Sequence, residues 1–247
     1  MSLLGRVDGP VVVGHRGGRG ERWPPENSLA SFERARSQGA HAIETDVRLA
    51  ASGEVIAFHD PTLARMTDGR DTREVARLDR TELDAIRLEG STESIPRLSE
   101  VIEWAERAGC GLNIEVKHDV PDRWALAREV ARHLSKARIP VLVSSFDPVT
   151  LLALGVLMPA VPRALLTHPA QKYAPILHAL AHPRFLTALH AERRETHAAQ
   201  IQAWKRRGLR VGVWTVNDTY EARRLVADGA DLLITDEPGK ILAALSM

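Results

Sequence analysis

Short runs of apolar, β-branched residues recur along the chain and are separated by stretches with apolar residues on one helical face. Strands are predicted to begin near residues 11, 42, 112, 141, 163, 185, 210 and 231. Helices are predicted at about residues 28–38, 98–108, 123–136, 148–157, 170–181, 196–207, 219–227 and 238–245. This alternation predicts an α/β fold, a (β/α)8 TIM barrel. A doubly wound open sheet is the alternative, but no Gly-x-Gly-x-x-Gly motif follows the first strand.

The second predicted strand is followed closely by another apolar run at residues 55–58. A parallel crossover needs a dozen or more residues, so this run must return antiparallel as a hairpin arm. If the turn is centred between Ser52 and Gly53, Asp46 lies opposite His59.

The segment after the hairpin, residues 60–97, is mostly polar. It is expected to form a small insertion over the barrel mouth, since it is too short for an independent domain. Its weakly amphipathic part, residues 73–88, is expected to be a solvated face. The whole chain, residues 1–247, is therefore expected to be one domain.

Composition narrows the classes of function. The chain has 247 residues, 44% of them hydrophobic, and a net charge of +1, so no overall field favours nucleic acid or an anionic membrane. Cys110 is the only cysteine, which excludes an intrachain disulfide. The first residues lack the apolar core of a signal peptide, and no run reaches about 18 apolar residues, so a cytoplasmic protein is expected. The predicted helices carry no long heptad pattern, so the sequence predicts no particular oligomeric state.

Acidic side chains lie near the carboxyl ends of the predicted barrel strands, which is where TIM barrels have their active sites. Glu44 and Asp46 are two residues apart and share one face of a strand, and Glu115 lies on the next barrel strand. These carboxylates are hard oxygen ligands, so they are candidates to bind one Mg2+ or Ca2+, with Mn2+ as a further candidate. Taken alone, the hairpin fits a solvated charged face equally well.

Two histidines and two cations accompany the carboxylates. His15 and His59 are candidates for general base and general acid, because imidazole titrates near neutral pH. Arg16 and Lys117 are candidates to neutralise a phosphate. Together with three carboxylates, this is the set of groups that phosphodiester cleavage requires.

At these residues the sequence resembles the glycerophosphodiester phosphodiesterase family over nearly the whole chain. The resemblance rests on the motifs His15-Arg16-Gly17, Pro25-Glu26-Asn27-Ser28, Ile43-Glu44-x-Asp46-Val47, His59-Asp60, Asn113-Ile114-Glu115-Val116-Lys117, Val213-Trp214-Thr215-Val216-Asn217 and Ile234-Thr235-Asp236-x-Pro238. The loop at residues 17–25 is longer and more charged than is usual in the family. We expect this loop to influence the choice of alcohol without touching the chemistry.

The resemblance implies roles for residues that were already selected. It implies that His15 and His59 are the catalytic pair, and that Glu44, Asp46 and Glu115 bind one divalent cation. Substrate would contact four further residues, namely Arg16 and Lys117 as the phosphate clamp, Trp214 against the glycerol moiety and Glu26 at the edge of the site.

The reaction implied by the resemblance is hydrolysis of a glycerophosphodiester, such as glycerophosphocholine or glycerophosphoethanolamine, to sn-glycerol 3-phosphate and an alcohol. Two alternatives stay open. One is a lysophospholipase D, which would need an apolar path for an acyl chain. The other is a catalytically silent phosphate-binding module, which would need no acid–base pair.

Overall fold

The computed structural model describes residues 9–88, 90–171, 176–178 and 181–246. The strands in these ranges are β1 (Val11–His15), β2 (Ala42–Leu49), β3 (Val55–Ala57), β4 (Gly111–Val116), β5 (Val141–Ser145), β6 (Arg163–Thr167), β7 (Ala188–Glu192), β8 (Arg210–Trp214) and β9 (Leu232–Thr235). The α-helices are α1 (Leu29–Ser37), α2 (Arg80–Ala85), α3 (Leu98–Ala108), α4 (Arg123–Leu134), α5 (Pro148–Leu157), α6 (Ala198–Arg206), α7 (Thr219–Ala227) and α8 (Pro238–Leu245).

Eight of these strands are parallel and close into a barrel. They follow the order β1-β9-β8-β7-β6-β5-β4-β2, and β1 pairs with β2 to complete the circle. The TIM barrel predicted from the alternation of strands and helices is confirmed. The barrel interior is filled by a small cluster of aliphatic side chains, whereas larger clusters lie between the strands and the surrounding helices.

Polar caps explain where several helices begin. Ser28 accepts a hydrogen bond from the Ser31 amide at the start of α1. Asp147 and Asp218 cap α5 and α7 in the same way, because their carboxylates accept main-chain N–H groups that have no helical partner. The helices predicted at residues 98–108, 148–157, 219–227 and 238–245 are found at those residues. Part of the helix predicted at residues 170–181 lies outside the described residues.

The hairpin forms as expected, but its register differs by one residue. Val47 pairs with Ala57 and Leu49 with Val55, so the turn is centred on residue 52. The Phe58 amide, rather than that of His59, donates a hydrogen bond to the Asp46 carbonyl, at 3.0 Å. The prediction that Asp46 lies opposite His59 is therefore wrong in register. His59 follows one residue later and enters the same cavity as Glu44.

The strand predicted to begin near residue 185 begins later. Phe185 lies in a turn and is 60% exposed, and the sheet pairing of β7 starts at Ala188. The strand continues to Glu192. His190 therefore lies within this strand and not at its end.

The insertion at residues 60–97 has a small core of its own. Leu63, Val75 and Leu83 are buried with Ile56 and Phe58 of the returning hairpin arm. The interpretation of residues 73–88 as a solvated face is therefore incomplete, since the apolar side chains of this short amphipathic piece pack on the hairpin. No helix in the described ranges is long and apolar enough to cross a membrane.

The packing of α1 on α3 gives a stability test. Phe32 is fully buried, and its ring lies 5.6 Å from that of Trp104. Replacing Phe32 by Ala is expected to lower the free energy of unfolding by about 3–5 kcal/mol, because a large cavity is left in the core. Leu152→Ala is the control, since Leu152 is 56% exposed, and a change within about 0.5 kcal/mol is expected. Urea unfolding measures both, and equal effects would contradict the assignment of the core.

Candidate active site

The sheet register places the predicted site residues side by side at the carboxyl end of the barrel. His15 pairs with Glu44 across β1 and β2. Asp46 pairs with Glu115 across β2 and β4. Because paired residues in parallel strands face the same side, these four side chains converge inside the barrel mouth.

The three carboxylates form a compact buried group. Glu44, Asp46 and Glu115 each offer an oxygen, and these atoms lie within 4.8 Å of one another. Burial, together with the negative charges of Asp46 and Glu115, raises the pKa of Glu44 well above its ordinary value. Three carboxylates crowded in a buried site are the donor set of a hard divalent cation, which would relieve their repulsion. The residues present therefore fit the cation that was predicted.

Lys117 and Arg16 hold the central carboxylate from two sides. Lys117 Nζ lies 3.0 Å from Asp46 Oδ1 and 2.7 Å from Glu115 Oε1. Arg16 Nε lies 3.0 Å from Asp46 Oδ2. Burial alone would raise the pKa of Asp46, but these two cations lower it below its ordinary range. Asp46 therefore stays ionised.

Arg16 also anchors Glu44 through its backbone. Its main-chain N–H donates to Glu44 Oε2 at 3.0 Å, and its φ angle of 53° lies in the left-handed region. A turn of this kind directs the amide back toward β2 while the guanidinium reaches Asp46. One residue thus contacts two of the three carboxylates.

Each predicted catalytic histidine is held by a carboxylate. His15 Nδ1 lies 2.8 Å from Asp236 Oδ1, and His15 Nε2 lies 4.0 Å from Glu44 Oε2. Burial lowers the pKa of His15, although the hydrogen bond with Asp236 opposes this shift. His59 Nδ1 lies 2.5 Å from Asp60 Oδ1. In both rings Nδ1, and not Nε2, contacts this carboxylate partner.

The main chain of His59 is fixed from the far side of the hairpin. Arg48 is buried, and its Nε donates to the His59 carbonyl at 2.8 Å. The same guanidinium donates to both carboxylate oxygens of Asp119, which follows shortly after Lys117. Arg48 therefore connects the main chain of His59 to the loop that follows β4 and carries Lys117.

Glu26 lies at the centre of an arginine network. Its Oε1 accepts from Arg16 at 2.8 Å and from Arg65 at 2.7 Å, and Arg19 Nη1 lies 3.6 Å from its Oε2. Arg65 also donates a hydrogen bond to Asp60, and Arg19 also donates one to Asp236. Glu26 was expected at the edge of the site, and these contacts make it the link between the groups that hold the two histidines.

Most of these side chains line one cavity of about 130 Å³. His15, His59, Glu44, Glu115 and Arg16 line it on the charged side. The opposite wall is apolar and consists of Phe146, Leu166, Trp214 and Ile234. Trp214 lies edge-on to Phe146 at 5.6 Å and donates its indole N–H to the His190 carbonyl. A small group with one charged and one carbon-rich face fits this space.

Comparison with known proteins decides the family. The model of the glycerophosphoryl diester phosphodiesterase family matches residues 15–240. The chain belongs to this family.

Full-length relatives agree with the match. A glycerophosphodiester phosphodiesterase of Caldanaerobacter subterraneus is 27% identical over 240 residues, which cover 94% of this chain and 96% of the relative. Another, from Bacillus altitudinis, is 29% identical over 252 residues and covers 93% and 95%. Among solved structures, an Oleispira antarctica phosphodiesterase in complex with sn-glycerol-3-phosphate has a TM-score of 0.84 and 28% identity, with 96% and 97% of the two chains covered. The chain is a glycerophosphodiester phosphodiesterase, a phosphoric diester hydrolase.

Several contacts in this phosphodiesterase were missed from the sequence. Asn27 donates to Asp46 Oδ2 at 3.1 Å, and its Oδ1 accepts from Thr45. Asn217 donates to Asp236 Oδ2 at 2.7 Å. Both asparagines stand in the motifs that carry the family resemblance, so a signal was present. Their partners could not be assigned, because each lies in a different part of the chain.

One expectation about the loop at residues 17–25 is wrong. The loop at residues 17–25 was expected not to touch the chemistry. Arg19 from this loop donates to Asp236 at 2.9 Å and lies 3.3 Å from His15 Nδ1. The loop therefore contacts the carboxylate that holds a predicted catalytic histidine.

Asn27 provides a test of how the carboxylates are held. Asn27→Ala is expected to weaken divalent metal binding about 10- to 100-fold, because the amide that orients Asp46 is lost. Calorimetric titration with Mg2+, Ca2+ and Mn2+ measures this. Ser28→Ala is the matched control, since Ser28 caps α1 without contacting a carboxylate, and unchanged metal affinity is expected there. Equal weakening in both variants would instead indicate a general loss of structure.

Proposed function

We propose that this phosphodiesterase hydrolyses small glycerophosphodiesters, such as glycerophosphocholine and glycerophosphoethanolamine, to sn-glycerol 3-phosphate and an alcohol. The observation that carries this proposal is the convergence of two carboxylate-held histidines and the acidic group in one cavity. The sn-glycerol-3-phosphate bound by the Oleispira antarctica relative supports the choice of product.

Glu44, Asp46 and Glu115 would hold one Mg2+, Ca2+ or Mn2+. When bound, such a cation stabilises the negative charge that gathers on the phosphate oxygens in the transition state. Arg16 and Lys117 flank these carboxylates and would neutralise the remaining phosphate charge. Both side chains are already fixed by ion pairs, so little rearrangement is needed when substrate arrives.

His15 and His59 would move the protons. One imidazole removes a proton from the attacking oxygen, which is either water or the glycerol 2-hydroxyl, and the other donates a proton to the departing alkoxide. Asp236 and Asp60 hold the two rings and stabilise each imidazolium as it forms. Trp214 would pack against the glycerol carbons, and Glu26 would act through the arginines that it binds.

The size of the cavity weighs against the alternatives. The cavity of about 130 Å³ suits a glycerol or phosphate group, and its apolar wall of Phe146, Leu166, Trp214 and Ile234 is short for an acyl chain. A lysophospholipase D is therefore less well supported. A silent phosphate-binding module would not need two carboxylate-held histidines.

We further propose that residues 1–247 act as one catalytic domain, with residues 60–97 placing Arg65 at the rim. A cytoplasmic location stays a prediction.

The histidines are tested by substitution. His15→Ala and His59→Ala are each expected to lower kcat for glycerophosphocholine by at least about 100-fold, because a proton-transfer group is removed. A coupled assay for sn-glycerol 3-phosphate measures kcat, and calorimetry is expected to detect metal binding in both variants. His197→Ala, at an exposed position, is the control. Near-normal turnover in either active-site variant would remove that residue from the proton-transfer role.

The requirement for a metal is tested by chelation. EDTA is expected to abolish hydrolysis, and added Mg2+, Ca2+ or Mn2+ to restore it, because the acidic group would otherwise repel the phosphate. Glu44→Gln is expected to weaken metal binding, since it removes one of three charged ligands. Calorimetric titration separates this effect from a loss of turnover. Full activity after exhaustive chelation would show that the carboxylates have only a structural role.

A further inference from the structure

The carboxylate of Asp236 receives hydrogen bonds from three side chains. On one oxygen, His15 Nδ1 lies 2.8 Å and Arg19 Nε lies 2.9 Å from Oδ1. On the other, Asn217 Nδ2 lies 2.7 Å and Arg19 Nη2 lies 3.3 Å from Oδ2. Of these three partners, only Arg19 contacts both oxygens. Its planar guanidinium therefore fixes the plane of the carboxylate that His15 meets.

Asp236 decides which nitrogen of His15 carries the proton. Burial alone would raise the pKa of Asp236, but the hydrogen bonds from His15 and Arg19 lower it below its ordinary range. An ionised carboxylate can only accept hydrogen bonds, so the Nδ1 atom that contacts it must be an N–H group. A neutral His15 then has its lone pair on Nε2. The carboxylate thus sets the tautomer of the ring as well as its direction.

The main chain of the loop at residues 17–25 is anchored on the same aspartate. The Arg19 amide donates to the Asp236 carbonyl at 3.1 Å. Gly18 permits this close approach, because a Cβ at this position would lie 2.8 Å from that carbonyl oxygen. The Gly18 amide also donates to Ser31 Oγ at 3.1 Å, which connects the loop to α1. The side chain of Arg19 therefore starts from a fixed point beside Asp236.

The contacts of Arg19 are with carboxylates rather than with the cavity. The described residues that line the cavity include His15 and Arg16 but not Arg19. Besides Asp236, the guanidinium lies near Glu26, with Nη1 3.6 Å from Oε2. The Arg19 side chain is 39% exposed, so it stands at the outer side of this group of charges. An effect of Arg19 on the reaction would therefore pass through a carboxylate.

We propose that Arg19 is a positioning residue, which acts through Asp236 to hold the His15 ring in the orientation and tautomer that proton transfer needs. This inference rests on the proposed function, because it takes His15 as a proton-transfer group. Arg19 would then contribute to turnover and not to substrate binding. Asn217 would still hold Oδ2 if Arg19 were removed, so a partial loss of turnover is expected.

The first test is kinetic. Arg19→Ala is expected to lower kcat for glycerophosphocholine about 10-fold with KM changed less than about 2-fold, because the ring is less well oriented and the cavity is intact. Arg19→Lys is expected to give an intermediate kcat, since an ammonium keeps the charge but cannot bind both oxygens as a fork. Arg22→Ala is the matched control, because Arg22 is an exposed arginine of the same loop, and kcat is expected to be unchanged. A raised KM with unchanged kcat in Arg19→Ala would overturn the inference, because it would place Arg19 in contact with substrate.

The second test is a double-mutant cycle with Asp236→Asn, which leaves one oxygen where the guanidinium fork needs two. If Arg19 acts through Asp236, adding Arg19→Ala to Asp236→Asn lowers kcat little further. The same fold loss in both backgrounds would mean that Arg19 acts independently of Asp236, and the inference would be wrong.

The third test needs no turnover. Two-bond 1H–15N correlation spectra of the imidazoles, recorded with Mg2+ present, report the tautomer and order of each ring. His15→Gln and His59→Gln identify the signals of the two histidines by their loss. Arg19→Ala is expected to shift or broaden the His15 signals and to leave those of His59 unchanged. Unaltered His15 signals would overturn the inference.

The spectra also separate this inference from the proposed function. If no diester is hydrolysed but the His15 signals alone respond to Arg19→Ala, the proposed function fails and the positioning of His15 by Arg19 is upheld. If hydrolysis depends on His15 but neither kcat nor the spectra respond to Arg19→Ala, the inference about Arg19 fails alone.

Discussion

The repulsion among three buried carboxylates is the constraint on which the rest of the site depends. Glu44 and Asp46 share one face of β2, and the register of β2 and β4 places Glu115 beside Asp46. Arg16 and Lys117 offset part of this negative charge, but burial and the neighbouring carboxylates still raise the pKa of Glu44. Such a group of carboxylates is suited to hold a divalent cation.

A network of ion pairs connects the three carboxylates to the groups that hold the two histidines. Glu26 binds the guanidinium groups of Arg16 and Arg65 and lies near that of Arg19. Arg19 and Arg65 in turn contact the carboxylates that hold His15 and His59. Each histidine is therefore oriented by a carboxylate whose own position depends on an arginine. Such alternation of charges fixes the orientation of both imidazole rings.

Below the charged residues of the barrel mouth, several inward positions of the barrel carry polar side chains. Parallel barrels usually fill their centre with layers of branched aliphatic side chains. Here Asn113, Ser144 and His190 occupy inward positions, with only a glycine at residue 212 beside the imidazole. The centre of this barrel therefore lacks part of the aliphatic packing that is usual for the fold.

The sequence by itself determined the fold class, the strand and helix order, and the identity of the carboxylates, histidines and cations. These follow from local periodicity and from the rule that parallel strands bring their carboxyl ends together. Only the tertiary structure decided the hairpin register, the later start of β7, and the pairing of Asp236 with His15, Asn27 with Asp46 and Arg19 with Asp236. The physical reason is range: periodicity reports on neighbours in the chain, whereas these contacts join residues that become neighbours only when the barrel closes.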